Sequence, residues 1–507
     1  MCVWVSKSHT FTQRTPEMVG SHYFFIVNLS LIPQILAIYK DVDVRGDVWP
    51  KPRNTVLEQN KIVKFDVEKL HFEFLEKYES HSCDVMVDDN IKRYTALLKI
   101  PVLHNHKPKH SYPRNKLFKH ISTIAVSIKN LKSCLVYPHS KMDESYEITV
   151  NLQGVHIRSN EVWGFIRGIE TLSQCLFWTD EKSAFIYQQH IHDSPEFPHR
   201  GYMIDTGRHF ITWKVMNQLL DGMAYSKFNI LHWHIVDHQS FPYKSEVFPF
   251  LSEIAAYKPA SSHTYSIEDI KAFIESAKNR GIRVIPELDT PGHMNSLCEA
   301  FAQAGYEFCV KCKGNWWDKG QMNEFYGWGP FRPDLEENYV LVEKFLKEFR
   351  DVFKDELVHL GGDEVPDGCW MEDESVRSWA EKNGMTSHSQ IMRYHLDKVY
   401  SIAKKVGFEN YQVWNEAEGF NTVDPESDVL LKRVSEGSKL QNIDKPILQS
   451  WLPWTAENPV GFEQIVNRAT NEGYDVVLSS GWYLDLDKYS AWSLNVSKER
   501  RYWPEIE

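Results

Sequence analysis

LVHLGGDEV, residues 357–365, is an apolar run that closes on a glycine pair and two adjacent carboxylic acids. Its opening residues do not alternate between polar and apolar. An extended segment of that kind needs cover on both faces, as in a parallel sheet with helices packed outside it. The acids raise a second question. Hydrolases that use two carboxyl groups set them on opposite sides of the bond being cut, and neighbours on one strand cannot straddle a bond.

Working outward, similar runs recur at residues 201–205, 229–236, 283–288, 411–415, 447–451 and 475–480, with amphipathic helical patterns between them. In SIEDIKAFIESAKNRG, Ser266 reads as an N-cap with Asp269 three residues on, and Gly281 as the stop. Polar and aromatic residues gather where the runs end: Asp205, Asp237, Asp289, Asp363, Glu364, Trp414, Glu416, Trp451, Trp482 and Tyr483. Nearly every strand contributes one, which predicts an α/β fold of the (β/α)8 TIM-barrel type with its site on the C-terminal face. Only seven strands are evident, since about 24 residues follow Tyr483 with no clear eighth strand and helix. Upstream, STIAVSI and YEITVNLQGVHI alternate with period two. EVWGFIRGIETLSQCLFW sets Trp163, Ile166, Ile169 and Leu172 on one helical face, so a small α+β domain is expected first. The divisions are an atypical segment 1–45, the α+β domain 46–192 and the barrel 193–507, entered through the Pro-containing IHDSPEFPHR.

The chain of 507 residues carries a formal net charge of −12, which argues against a nucleic-acid partner, because phosphate neutralisation needs clustered Lys and Arg. Eight cysteines are too dispersed for a small disulfide scaffold. Cys309 and Cys312 form a C-x-x-C with no second pair at zinc-ribbon spacing. Residues 23–39, YFFIVNLSLIPQILAIY, are too short and too interrupted to span a membrane. Their length suits a signal-peptide core, although little positive charge precedes them.

Several blocks match one family in order: HRGYMIDTGRHF, FNILHWHIVDHQSFP, RGIRVIPELDTPGH, HLGGDEV, VWNE and SSGWYLDL. The chain resembles the β-N-acetylhexosaminidases of glycoside hydrolase family 20, the animal lysosomal enzymes in particular. The resemblance implies exo-hydrolysis of terminal β-linked GlcNAc or GalNAc with retention, the substrate's own acetamido oxygen acting as nucleophile through an oxazolinium intermediate. That would answer the question of the adjacent acids, since no second carboxylate then has to face the first across the bond.

By the same resemblance, Glu364 is the general acid and base and Asp363 orients the acetamido N–H. Tyr483 binds the acetamido oxygen, Trp414 and Trp451 wall its pocket, and Arg200 and Asp485 bind sugar hydroxyls. Asp237 and His293 are implied as a polar pair behind the acid. Cys83 and Cys134 match a bridged pair, and Cys369 matches a partner of either Cys309 or Cys312. The resemblance further implies no cofactor, a glycoconjugate substrate, a homodimer and a lysosomal or secreted location. Asn495-Val496-Ser497 is a glycosylation sequon. Two other readings are carried forward. The absent last strand block, with its Trp and Glu, favours an inactive or truncated sugar-binding homologue whose open barrel exposes two strand edges. His232, His234 and Asp237, an H-x-H followed by an acid, suit a metal-dependent barrel hydrolase.

Overall fold

The computed structural model describes residues 2–5, 48–75, 81–100, 118–180, 183–311, 328–365, 368–420, 445–451 and 461–480. β1 is Cys2–Val5, and the small domain holds β2 (Asn54–Phe65), β3 (His71–Phe74), β4 (His120–Ile121), β5 (Thr123–Asn130), β6 (Tyr146–Val150), β7 (Val155–Glu161), β8 (Phe177–Asp180) and β9 (Ser183–Asp193). Its sheet runs β3-β5-β7-β6-β9-β2-β4, with β8 paired to β9. The helix expected from EVWGFIRGIETLSQC spans Val162–Cys175. Trp163, Ile166, Ile169 and Leu172 are all fully buried against the sheet.

The second sheet is a closed barrel of β1, β10 (Arg200–Asp205), β11 (Ile230–His234), β12 (Arg283–Glu287), β15 (Leu357–His359), β16 (Asn410–Trp414), β17 (Ile447–Ser450) and β18 (Val476–Leu478). A separate hairpin pairs β13 (Cys309–Lys311) with β14 (Trp328–Phe331). The seven expected strands are all present and parallel from β10 to β18. The expectation of an open barrel is corrected. β1 runs antiparallel between the two edges, with Val3 opposite Arg200 on one side and Leu478 on the other. Ladder bonds read backbone donors and acceptors, so an antiparallel tetrapeptide from the remote chain start can seal edges that a parallel strand would otherwise fill.

Helices cover the barrel outside. The one predicted after Ser266 spans Ile267–Lys278, with Ser266 accepting from the Asp269 N–H at 3.2 Å. Outward residues of β11 pack on these helices, Trp233 lying edge-on to Trp213 and Phe273. Inward residues follow the period-two alternation of strands. Ile230, Ile285, Leu357 and Ile447 make one apolar layer. Two residues further along come His232, Glu287, His359, Gln412 and Gln449, all buried and polar. The lumen therefore changes from hydrocarbon to ionisable groups just below the C-terminal face.

Candidate active site

The two acids sit on a coil rather than on the strand. β15 ends at His359, and Gly361, Gly362 and Glu364 have φ of 64°, 96° and 49°. Glycine is required at the first two positions. A Cβ on Gly361 would stand 1.7 Å from Asp289 Oδ1, and one on Gly362 would stand 2.6 Å from Ala417 Cβ. The coil sends the neighbouring acids in different directions while both stay within reach of one imidazole. His293 Nε2 lies 3.2 Å from Glu364 Oε2 and 3.5 Å from Asp363 Oδ2.

Behind His293 a chain of charged groups runs into the lumen. His293 Nδ1 is 3.4 Å from Asp237 Oδ1, and Asp237 Oδ2 is 2.5 Å from His234 Nε2. His234 Nδ1 is 2.7 Å from Glu287 Oε2. Glu287 also receives His232 Nε2 at 2.6 Å and the Trp414 Nε1–H at 2.9 Å, and His359 Nδ1, which accepts the Gly361 N–H, lies 3.2 Å away. Charges alternate in sign along this line. Burial would discharge His293, but Asp363 and then hydrogen bonds to Asp237 and Glu364 hold it protonated well above the usual imidazole range. Burial likewise opposes charge on His234, and Glu287 and Asp237 overcome it. Burial pushes His359 the other way, down to about 4, so it stays neutral.

Asp363 is raised by burial, partly countered by His293. Its neighbour Asp289 is raised further, by burial and by the charge of Asp363, so the proton of this carboxyl pair resides on Asp289. Asp289 Oδ1 accepts the Gly362 N–H at 3.0 Å. Asp363 Oδ1 and Trp451 Nε1 are both buried; the Asp363 carboxyl hydrogen-bonds that of Asp289, and the Trp451 side chain bonds Glu416.

Of the residues singled out from sequence, the structure brings together Asp237, His293, Asp363, Glu364, Trp414 and Trp451. The two indoles meet edge to face with centroids 6.5 Å apart. Tyr483, Asp485, Trp482, Cys312 and Asn495 lie outside the described residues, as does the 23–39 segment.

Arg200 is a correction. It starts β10, at the end of the barrel away from the acids, where Nη2 pairs with Glu144 at 2.6 Å, Nε bonds the Lys227 carbonyl at 2.9 Å and Nη1 bonds that of Phe197 at 2.7 Å. The cation at the site is Arg208, which follows the strand in the same block. Its Nη1 is 2.6 Å from Asp205 Oδ2, and its Nη2 is 3.0 Å from Asp237 Oδ2 and 3.3 Å from His293 Nδ1. The available signal was position, since the C-terminal ends of barrel strands carry the chemistry. Asp289 and Glu416 also stand at strand ends, where position alone assigns them no role.

Cys83 bonds Cys134 as expected, and Cys309 bonds Cys298, so of the two partners expected for Cys369, Cys309 is excluded, while Cys312 lies outside the described residues. Cys369 is itself disulfide-bonded. The Cys298–Cys309 bridge ties the helix Asn295–Gln303 to β13, which the spacing did not suggest.

For a metal, His232, Glu287 and His359 form one set of ligand atoms within 4.8 Å of one another, and Asp205, His234 and Asp237 form another. Several of these atoms already bond each other in the chain above, so an ion would have to displace those contacts.

Comparison with known proteins places residues 197–505 on the model "Glycosyl hydrolase family 20, catalytic domain" and residues 48–175 on "beta-acetyl hexosaminidase like". The chain is 31% identical over 450 residues to the Homo sapiens beta-hexosaminidase subunit beta, covering 87% of this chain and 72% of that protein. It is also 31% identical over 450 residues to the Rattus norvegicus beta-hexosaminidase subunit alpha, covering 87% and 76%. Among solved structures, Flavobacterium johnsoniae chitobiase superposes with a TM-score of 0.65 at 22% identity over 87% of this chain. This chain spans 60% of that structure's length. A Bacteroides fragilis β-N-acetylhexosaminidase superposes at 0.60 with 18% identity, covering 85% and 74%.

Proposed function

The chain belongs to glycosyl hydrolase family 20, and on that premise we propose that it is an exo-acting β-N-acetylhexosaminidase cleaving terminal β-linked GlcNAc or GalNAc from glycoconjugates. The observation that carries this reading is the enclosed Asp363 carboxyl, its Oδ1 buried, beside a Glu364 side chain that keeps 30% of its surface open. One acid is enclosed, and the other is accessible. An acetamido N–H would bond Asp363, whose negative charge offsets the positive charge that develops on the amide nitrogen as its oxygen attacks C1.

As the C1–O bond breaks, Glu364 transfers its proton to the leaving oxygen, giving an alcohol and a bicyclic oxazolinium ion. Water then attacks C1 from the face the alcohol left, Glu364 takes its proton, and the C1–oxazoline bond breaks to restore the acetamide with retained configuration. His293, charged and fixed by Asp237, orients Glu364 through both steps. Trp414 and Trp451 enclose the acetamido methyl, while Arg208 binds ring hydroxyls at the −1 position. Tyr483 and Asp485 complete the set as acetamido and hydroxyl ligands.

Two disulfides support maturation in an oxidising compartment, consistent with a secreted or lysosomal protein. The relatives' names as alpha and beta subunits support assembly into a dimer. The test is hydrolysis of a chromogenic β-GlcNAc substrate and of an alkyl β-GlcNAc by the wild-type chain and by Glu364→Gln. Loss of the acid should lower kcat on the alkyl glycoside by about 10²–10⁴-fold. The aryl glycoside should suffer less in the first step, because a good leaving group needs little protonation. Equal turnover of both substrates by wild type and variant would sink the assignment.

A further inference from the structure

We propose that Glu416 is a positioning residue for this reaction, one whose carboxyl holds the backbone of the catalytic acid in its left-handed turn. The inference rests on the functional reading above and adds a third carboxyl group to it.

Among the described residues only Lys227, His293 and Glu364 combine a side chain with positive φ, and two of these three belong to the reacting site. A left-handed conformation at a residue with a Cβ persists only where its surroundings enforce it. Gly361 and Gly362 turn the chain before Glu364 but cannot fix Glu364 itself. What fixes it is the next strand: the Glu364 N–H donates to Glu416 Oε2 at 3.3 Å. Glu416 is carried by the short 3-10 turn Asn415–Glu418 that follows β16 and closes on Gly419, with φ of 80°. Its neighbour Glu418 serves a different purpose, bonding Arg393, Tyr400 and Tyr474 in the outer core. The same turn also positions the acetamido wall, because Asn415 Oδ1 accepts the Trp451 N–H at 3.0 Å.

Three carboxyl groups so close together do not all ionise near neutrality. The groups facing Glu416 are Asp363 and Glu364 from the coil after β15, and Trp451 from the end of β17. Burial, then the charges of Asp363 and Glu364, push Glu416 up to about 8, against the pull of the Glu364 N–H and Trp451. Glu416 is therefore neutral through the acid and neutral range. Above about pH 8 it gains a negative charge beside the two working acids, which disfavours the anionic Asp363 the reaction needs.

The experiment is a set of pH–rate profiles for wild type, Glu416→Gln and Glu416→Ala on a chromogenic β-GlcNAc substrate, each with a thermal melt. Wild-type kcat should fall on the alkaline side with a midpoint near 8. Glu416→Gln keeps an acceptor for the Glu364 N–H and cannot ionise. It should hold wild-type kcat within about twofold below neutrality and lose the alkaline fall. Glu416→Ala should lose about tenfold or more in kcat below neutrality, with a smaller change in KM and a near-native melt. A Glu416→Gln profile that superimposes on wild type, or a Glu416→Ala kcat within about twofold of wild type below neutrality, overturns the inference alone. Absence of hydrolysis by the wild-type chain overturns the functional reading, and the inference with it.

Discussion

Arg200 and Arg208 lie eight positions apart in one sequence block, and replacing each by Met should have opposite consequences. Arg200 pairs with Glu144 at 2.6 Å, where their side chains are 16% and 2% exposed. Burial raises the Glu144 carboxyl, and Arg200 followed by Arg167 brings it below its ordinary value, so the carboxylate depends on these two cations. Removing one partner of a buried pair costs about 3–5 kcal/mol. Glu144 would keep Arg167 at 2.8 Å and Asn229 at 3.1 Å, which places Arg200→Met near the lower end, about 3 kcal/mol. That loss belongs to the junction between the two domains, so KM and kcat should stay within about twofold. Arg208→Met should instead forfeit a charged hydrogen bond to substrate, worth about 1.5–3 kcal/mol, or about 10–150-fold in kcat/KM. Urea unfolding followed by tryptophan fluorescence, run beside hydrolysis of the chromogenic substrate, separates the two effects. A stable Arg200→Met chain with kcat/KM down more than about tenfold, or an Arg208→Met chain hydrolysing normally, would refute the placement.

Gly361→Ala should place a Cβ 1.7 Å from Asp289 Oδ1 in a backbone with φ of 64°. The left-handed cost and the lost Gly362–Asp289 bond come to about 2–3 kcal/mol, and kcat should fall about tenfold or more in the same kinetic assay. His395, buried and bonded to Thr290 at 2.9 Å, is held down to about 3 by burial. An unfolded histidine titrates near 6.5, so the folded chain binds fewer protons between about 6.5 and 3. This contribution is present above about pH 6.5 and is lost as pH falls, amounting to about 2 kcal/mol by pH 5. His395→Gln should reduce that acid sensitivity in urea melts at the two pH values, and an unchanged pH dependence would refute it. Non-reducing peptide mapping should recover Cys83–Cys134 and Cys298–Cys309, and a Cys309–Cys369 peptide would contradict the fold.

Local pattern carried much of this protein. Near-continuous apolar runs between amphipathic helices specify parallel strands covered outside, and the structure has all seven in the expected order. The Ser266 cap and the buried face of Val162–Cys175 were equally legible, because each depends on neighbours within a few residues. The adjacency of Asp363 and Glu364 excluded two acids facing each other across the bond, and the family resemblance supplied a reaction that does not need them to.

The rest depended on contacts between distant segments. β10 advances about 17 Å over its six residues, so Arg200 and Arg208 fall at opposite ends of a barrel although one sequence block holds both. Which end is the site is set by the sheet and not by the block. Cys2–Val5 closes the barrel by backbone pairing, which leaves no side-chain signature across the nearly two hundred residues separating β1 from β10. The alternating charges from Glu364 to Glu287 exist only because β11, β12 and β15 stand in register, with His234 opposite Glu287 and Glu287 opposite His359. Sequence determined which side chains this protein brings to the chemistry. Tertiary structure decided their charge states and partners, because burial and proximity are properties of the closed barrel and not of any single strand.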